Sequence, residues 1–238
     1  VRSTKVLEKV SRANLARNLT GKRFERTCRR GKYLFVEADC PPHLMLHFGM
    51  SGALSLVEKQ HRDGTYDRVV FLFDDGVALA YENRRQLGKV GLVDSVEKAI
   101  EEYGLGPDAC EISYEQLAET VSSGSGMIKP LLMDQTKIAG IGNIYSDEIL
   151  FQAKVHPKTR CERLDKKDVK TLYRSMRRVL SVAIKRHADP GKLPRSYLLP
   201  HRGPDQPCPR CRGTVRKISV GGRNGYYCPR CQKLPATQ

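Results

Sequence analysis

From Lys22 to Val93 the apolar residues come in short runs rich in β-branched and aromatic side chains. The runs Lys32 to Ala38, His43 to Phe48, Gly52 to Val57, Arg68 to Phe73, Val77 to Tyr81 and Lys89 to Val93 read as strands. Asp74, Asp75 and Gly76 supply a tight reversal between two of them, and the Pro41-Pro42 pair breaks the chain between two more, as hairpin-connected antiparallel sheets require. A β-sandwich or barrel is the expected product. After about Val96 the spacing becomes helical, over Ser113 to Ser122, Met127 to Asp134 and Asn143 to Ala153. A last helix is the clearest: Asp165 can cap it with Asp168 in its first turn, and Val169, Leu172, Tyr173, Met176, Val179, Leu180, Ala183 and Ile184 form one apolar stripe. Its other face carries Lys170, Arg174, Arg177, Arg178, Lys185 and Arg186, a pattern that reads first as a solvated face and second as a phosphate contact. Ala188 to Pro200 is a linker marked by Pro and Gly. The predicted class is therefore α+β, divided at residues 1–95, 96–190 and 191–238.

Beyond the linker, Cys208, Cys211, Cys228 and Cys231 stand as two CxxC pairs either side of a sixteen-residue stretch that holds Gly221, Gly222 and Gly225. Each CxxC turn can aim two thiolates at one point, two such turns complete a tetrahedral zinc shell, and the glycines let the chain return as a β-hairpin with Arg223 at its tip. A redox role would want one CxxC opening a helix after a strand, which this spacing does not offer. Cys28, Cys40, Cys110 and Cys161 are scattered singly and are expected to be reduced.

The charge balance adds a partner. With 42 Lys and Arg against 26 Asp and Glu, the net charge is +16, which implies attraction to a polyanion that weakens with salt. No apolar run approaches the roughly 20 residues that span a bilayer, and no secretory signal opens the chain, so a cytoplasmic protein is expected. The glycines of Ala139-Gly140-Ile141-Gly142-Asn143 precede a helix start, where backbone N–H groups and the positive helix end suit a phosphate; an ordinary helix-connecting turn would use the same glycines.

In its surroundings this turn says more. The run MIKPLLMDQTKIAGIGNIYSDEILFQAKVHP, from Met127 to Pro157, closely resembles the helix-two-turn-helix of the formamidopyrimidine-DNA glycosylase and endonuclease VIII family. The resemblance continues through RRGKYLF at Arg29 to Phe35, HFGMSGAL at His47 to Leu54 and the hairpin ending GGRNGYYCPRCQK, and so covers nearly the whole chain in order. It implies an N-terminal antiparallel β-sandwich, a helical domain with the helix-two-turn-helix and a C-terminal zinc finger. It also implies base-excision repair of oxidised or ring-opened bases in double-stranded DNA, by base flipping and Schiff-base chemistry, with one structural zinc and a monomeric protein.

Residue by residue, Met50 matches the family's apolar plug, Arg85 the arginine that fills the void opposite the orphaned base, and Leu87 an aromatic wedge. Leucine can part a base step but gives up stacking, so selectivity for the opposite base is expected to be weaker or different. Lys32 matches a lysine that contacts phosphate and moves protons during strand cleavage, and Arg223 a finger arginine that clamps phosphate and assists elimination. Lys129 and Asn143 match phosphate-binding positions, and Glu148 an acidic residue near the lesion pocket. The family's nucleophile, an N-terminal proline followed by glutamate, has no counterpart at Val1. Two expectations follow: those residues precede Val1 in the full-length protein, and this chain by itself binds abasic DNA with little or no turnover. The linker is shorter than the loop that covers oxidised guanine in some members, which puts preference for that base in doubt. A catalytically silent binder of damaged DNA and a zinc-ribbon RNA-binding protein are the rival readings.

Overall fold

The structure is a computed structural model and describes residues 1–58 and 64–235. The chain forms two compact units, Val1–Gly104 and Leu105–Gln238.

The first unit is built on β1 (Leu7–Glu8), α1 (Arg12–Leu19), β2 (Phe24–Arg30), β3 (Tyr33–Ala38), β4 (His43–His47), β5 (Gly52–Glu58), β6 (Asp67–Leu72), β7 (Val77–Asn83), β8 (Lys89–Val93) and α2 (Val96–Glu102). The strands make two sheets, β1-β8-β4-β3-β2 and β5-β7-β6. Every pairing is antiparallel except that of Leu7 and Glu8 with Val90 and Gly91. Val36, Leu44, Leu46 and Val90 of the larger sheet face Val69 and Tyr81 of the smaller one, which makes the sandwich core. On the reverse of the larger sheet, Phe35, Met45 and Val93 pack on Val96 and Ala99 of α2. Strand β4 is thus buried on both faces, the physical cause of its unbroken apolar run.

Four elements of this unit escaped the hydrophobic pattern, one of them the two-residue strand β1. Strand β2 reads FERTCRR and exposes every residue from Glu25 to Arg29; it is a charged edge strand held by its ladder with β3. Helix α1 buries only Leu15, and α2 is a short helix packed on the sheet.

The second unit contains α3 (Tyr114–Ser122), α4 (Ile128–Met133), α5 (Asn143–Ala153), α6 (Lys166–Lys185) and the hairpin β9 (Arg216–Val220) and β10 (Arg223–Tyr227). Capping boxes start α3 at Ser113 with Gln116 and α6 at Asp165 with Asp168. Helix α5 buries Ser146 through Phe151 without a break and runs through the middle of the unit, sharing one core with Leu117, Leu132, Leu172 and Met176. The α6 stripe holds through Ala183, but Ile184, placed in it by spacing, is 62% exposed in the last turn. The linker is crossed by single 3-10 turns at Pro190–Lys192 and Leu199–His201. Among the described residues no helix is long and apolar enough to cross a membrane, and Cys28, Cys40, Cys110 and Cys161 are unbridged.

Candidate nucleic-acid interface

In the first unit, two turns meet to make one exposed tip. The turn from β4 to β5 is closed by Gly52 N–H donating to the Phe48 carbonyl at 2.8 Å. Gly49 adopts φ +61°, and a Cβ there would lie 2.7 Å from the Leu87 backbone, so only glycine allows this approach. Below the turn, buried Asn83 donates from Nδ2 to the Phe48 carbonyl at 3.1 Å and to the Tyr81 hydroxyl at 3.0 Å. The Tyr81 hydroxyl donates to the His47 carbonyl at 2.7 Å. This buried lattice lifts Met50 to 72% exposure and Leu87 to 51%, a costly display for apolar side chains that are not placed to be buried later. Arg85 joins them: its backbone N–H donates to Ser51 Oγ at 3.3 Å and its Nη1 lies 3.3 Å from Met50 Sδ. Met50 is thus brought beside Arg85 and Leu87, which lie far from it in sequence.

At the root of that tip stands a small basic group. Lys32 is exposed in the turn between β2 and β3, one residue before the strand predicted to begin with it. Its neighbour Tyr33 pairs with His47, ring to ring at 4.8 Å. Burial lowers the His47 imidazole below its ordinary value, and the charges of Lys32 and Lys89 lower it further. His47 Nδ1 accepts the Gly49 N–H at 3.2 Å, which leaves the proton of the neutral ring on Nε2, ready to be donated. Lys89 is itself paired with Glu8 at 2.8 Å.

In the second unit, Gln135 staples the loop between α4 and α5. Its Oε1 accepts the Gly140 N–H at 3.0 Å, and its Nε2 donates to the Met133 and Ile141 carbonyls at 2.7 and 2.9 Å. Gly142 caps α5 without a side chain, so the helix start is bare. Asn143 reaches across from Nδ2 to the Asn224 carbonyl at 2.8 Å, which places the start of α5 beside the finger strand that opens with exposed Arg223. Gly221 and Gly222, at φ +57° and +70°, turn the hairpin just before that arginine.

What holds the finger there is Asp147, which sequence reasoning passed over. Its carboxylate is wholly buried and accepts from Lys129 Nζ, from Arg202 Nε at 3.0 Å and from the Tyr226 N–H of β10 at 3.1 Å. Gly225 makes room for this, since a Cβ there would lie 2.3 Å from Lys129 Nζ. Lys129, expected at a phosphate, is therefore buried in the ion pair and reaches no surface. Glu148, expected near a lesion pocket, is also wholly buried: Gln152 Nε2 donates to it at 2.7 Å and the Leu199 N–H at 2.8 Å. Lys129 is covered by β10 and Glu148 by the Leu199 turn, both docked on α5, so no local sequence pattern marked their burial.

The four finger thiols lie within 4.8 Å of one another, with Cys211 to Cys228 at 3.5 Å and Cys208 to Cys231 at 3.8 Å. Ligands about 2.3 Å from a tetrahedral zinc stand about 3.8 Å apart, so the cage fits one structural zinc. Buried Cys208 and Cys228 pack with Phe151, Leu198 and Val215, so the metal site and the helix share a core.

A sandwich with an apolar and cationic tip, and a helix-two-turn-helix fastened to a zinc hairpin, define a DNA-processing protein. Three family models match in succession: the formamidopyrimidine-DNA glycosylase N-terminal domain over residues 1–90, its H2TH domain over 104–192, and a zinc finger found in FPG and IleRS over 205–234. Among curated relatives, the formamidopyrimidine-DNA glycosylase of Pelotomaculum thermopropionicum is 32% identical over 97% of this chain and 88% of its own length. That of Bacillus subtilis is 33% identical over 91% and 83%. The Lactococcus lactis enzyme bound to DNA with an abasic site superimposes with a TM-score of 0.84 at 30% identity, covering 93% of this chain and 85% of that one. Its complex with a FAPY-dG DNA gives 0.85 at 28% identity, covering 93% and 86%. The chain belongs to the formamidopyrimidine-DNA glycosylase family. It is a DNA glycosylase of base-excision repair, and its partner is DNA.

Proposed function

We propose that the protein extrudes oxidised or ring-opened bases from double-stranded DNA as a monomer, excises them, and cleaves the abasic product through a Schiff base. The observation that carries this reading is the tip: two exposed apolar side chains and a guanidinium, held out by a buried hydrogen-bond lattice. Met50 takes the volume vacated by the extruded base, Arg85 bonds the orphaned partner, and Leu87 parts the adjoining step. Lys32 and the Nε2 proton of His47 serve the phosphate next to the lesion, with Lys32 moving the proton of strand scission. In the second unit Asn143 and Arg223 grip phosphate, Arg223 also assisting elimination, while Lys129 and Glu148 support them from below through Asp147 and the Leu199 turn.

Met50→Ala tests the plug. Fluorescence anisotropy with abasic and undamaged duplexes of one sequence is expected to show a loss of about tenfold or more on the abasic duplex, from the buried apolar area forgone, and little change on the other. Equal losses on both duplexes remove the role. The lyase half rests on an amine that forms the Schiff base. Borohydride reduction on abasic DNA should trap a covalent adduct with the full-length protein, and its absence removes the Schiff base.

A further inference from the structure

The longest helix carries a row of charge that the lesion-handling residues do not use. On α6 the exposed cations Lys167, Lys170, Arg174, Arg177 and Lys185 fall, at 100° per residue, within a sector of about 80°. From Lys167 to Lys185 the row runs about 27 Å at 1.5 Å per residue. The helix has one carboxylate, Asp168, and it is spent on the N-terminal capping box. Among the described residues none of the five cations is in an ion pair. Lys170, Arg174 and Arg177 follow one another at spacings of four and three, so they repel along the helix with nothing to offset them. The opposite side of α6 is the stripe that builds the core, which turns the cationic row outward.

We propose that this face is a second DNA-binding surface, one that takes the sugar-phosphate backbone of undamaged duplex. A row of about 27 Å is long enough to meet several phosphates of a duplex, which carries one negative charge per about 1.7 Å of its axis. The row displays no aromatic side chain on which an unpaired base could stack, which favours duplex over single strand. Its members are lysines and arginines with Ser181 between, groups that serve phosphate and carry no sequence preference here. The surface rests on DNA being the partner but not on the tip: it holds the protein on undamaged duplex, or a second duplex segment while the first is under repair.

The test is a charge reversal on exposed positions, K170E/R174E/R177E, in the full chain, with K170Q/R174Q/R177Q as the milder companion. Binding of an undamaged 20-base-pair duplex is measured against salt by anisotropy. With three phosphate contacts gone, the slope of log K on log salt is expected to shrink by about 2.7 in both variants, and low-salt affinity to fall at least tenfold in the reversal. Zinc content, melting temperature and preference for abasic over undamaged duplex stay as in the unaltered protein or, for preference, rise. Unaltered protein saturated with a short abasic duplex should still capture a labelled undamaged duplex, and the variants should not. An unchanged slope overturns the proposal. So does loss of abasic preference in the glutamine variant, which would merge the row with the lesion interface, or a loss confined to RNA. Lack of abasic preference in the unaltered protein instead overturns the reading of the tip and leaves the row standing.

Discussion

Serine at Cys228 and Cys231 is expected to abolish zinc binding and with it most of the second unit's grip on DNA. The finger cannot stand on its own packing. Its two strands make five register pairs, and a lone hairpin of that size is marginal in water. Its buried apolar residues beyond the cysteines are Val215 and Val220, with Phe151 and Leu198 supplied from outside the hairpin. Zinc in such a site contributes about 10–16 kcal/mol to folding, far more than that core offers. Loss of two thiolates therefore unfolds the hairpin and withdraws Arg223, together with the Asn224 carbonyl that orients Asn143. One or two charge-assisted phosphate contacts at about 1.5–3 kcal/mol each predict a fall of about ten- to ten-thousandfold in affinity for abasic duplex. Most of the helical signal in circular dichroism should survive, because α3, α5 and α6 also share a core without finger residues and only Phe151 of α5 packs on the finger. Metal analysis and a binding titration on one preparation decide it: zinc gone and affinity intact would detach the finger from the interface.

How far the sequence foretold this molecule depends on where each charge ended up. Strands whose side chains are buried on one or both faces were legible, β4 most clearly, because burial leaves an apolar signature. Edge strand β2 was not, since its stability comes from backbone pairing with β3, which leaves no trace in residue type. The tip was legible as a resemblance, and the structure supplies its cause: Gly49, Gly52 and Asn83 are needed for close approach and for buried hydrogen bonds. Lys129 and Glu148 went the other way. A lysine and a glutamate on short helices look like surface, and only the docking of β10 and of the Leu199 turn onto α5 covers them. Such burial is a property of three segments far apart in sequence, so no local pattern announces it. Cys208 through Cys231 succeeded for the opposite reason, their spacing being itself the geometry.

Asp147→Ala is expected to be the most damaging single change outside the zinc cage. The carboxylate and the Lys129 ammonium are both wholly buried, and burial pushes Asp147 up and Lys129 down from their ordinary values while their mutual attraction opposes both shifts. Alanine leaves that ammonium buried without its partner, deprives Arg202 of its bond and orphans the Tyr226 N–H. Removing one member of a buried pair costs about 3–5 kcal/mol, or about 10 °C in melting temperature at about 2–4 °C per kcal/mol. Replacing Lys129 as well should return part of the loss, because the uncompensated charge goes with it. Full recovery is not expected, since Tyr226 and Arg202 still lack an acceptor. Asp147→Ala/Lys129→Met should accordingly melt above Asp147→Ala and below the unaltered protein, with a coupling energy of about 1–3 kcal/mol in the double-mutant cycle. The functional readout differs from that of the cysteine variants: zinc remains bound, but β10 keeps, among the described residues, only the Asn143–Asn224 bond as its polar tie to α5, so affinity for abasic duplex falls with the metal in place. Additive melting shifts in the cycle would show that Lys129 and Asp147 do not act as a pair. Unchanged affinity in Asp147→Ala would show that the finger holds its place without Asp147, by the shared apolar core of Phe151, Leu198 and Val215 and the bonds of Asn143, Arg210 and Gln232.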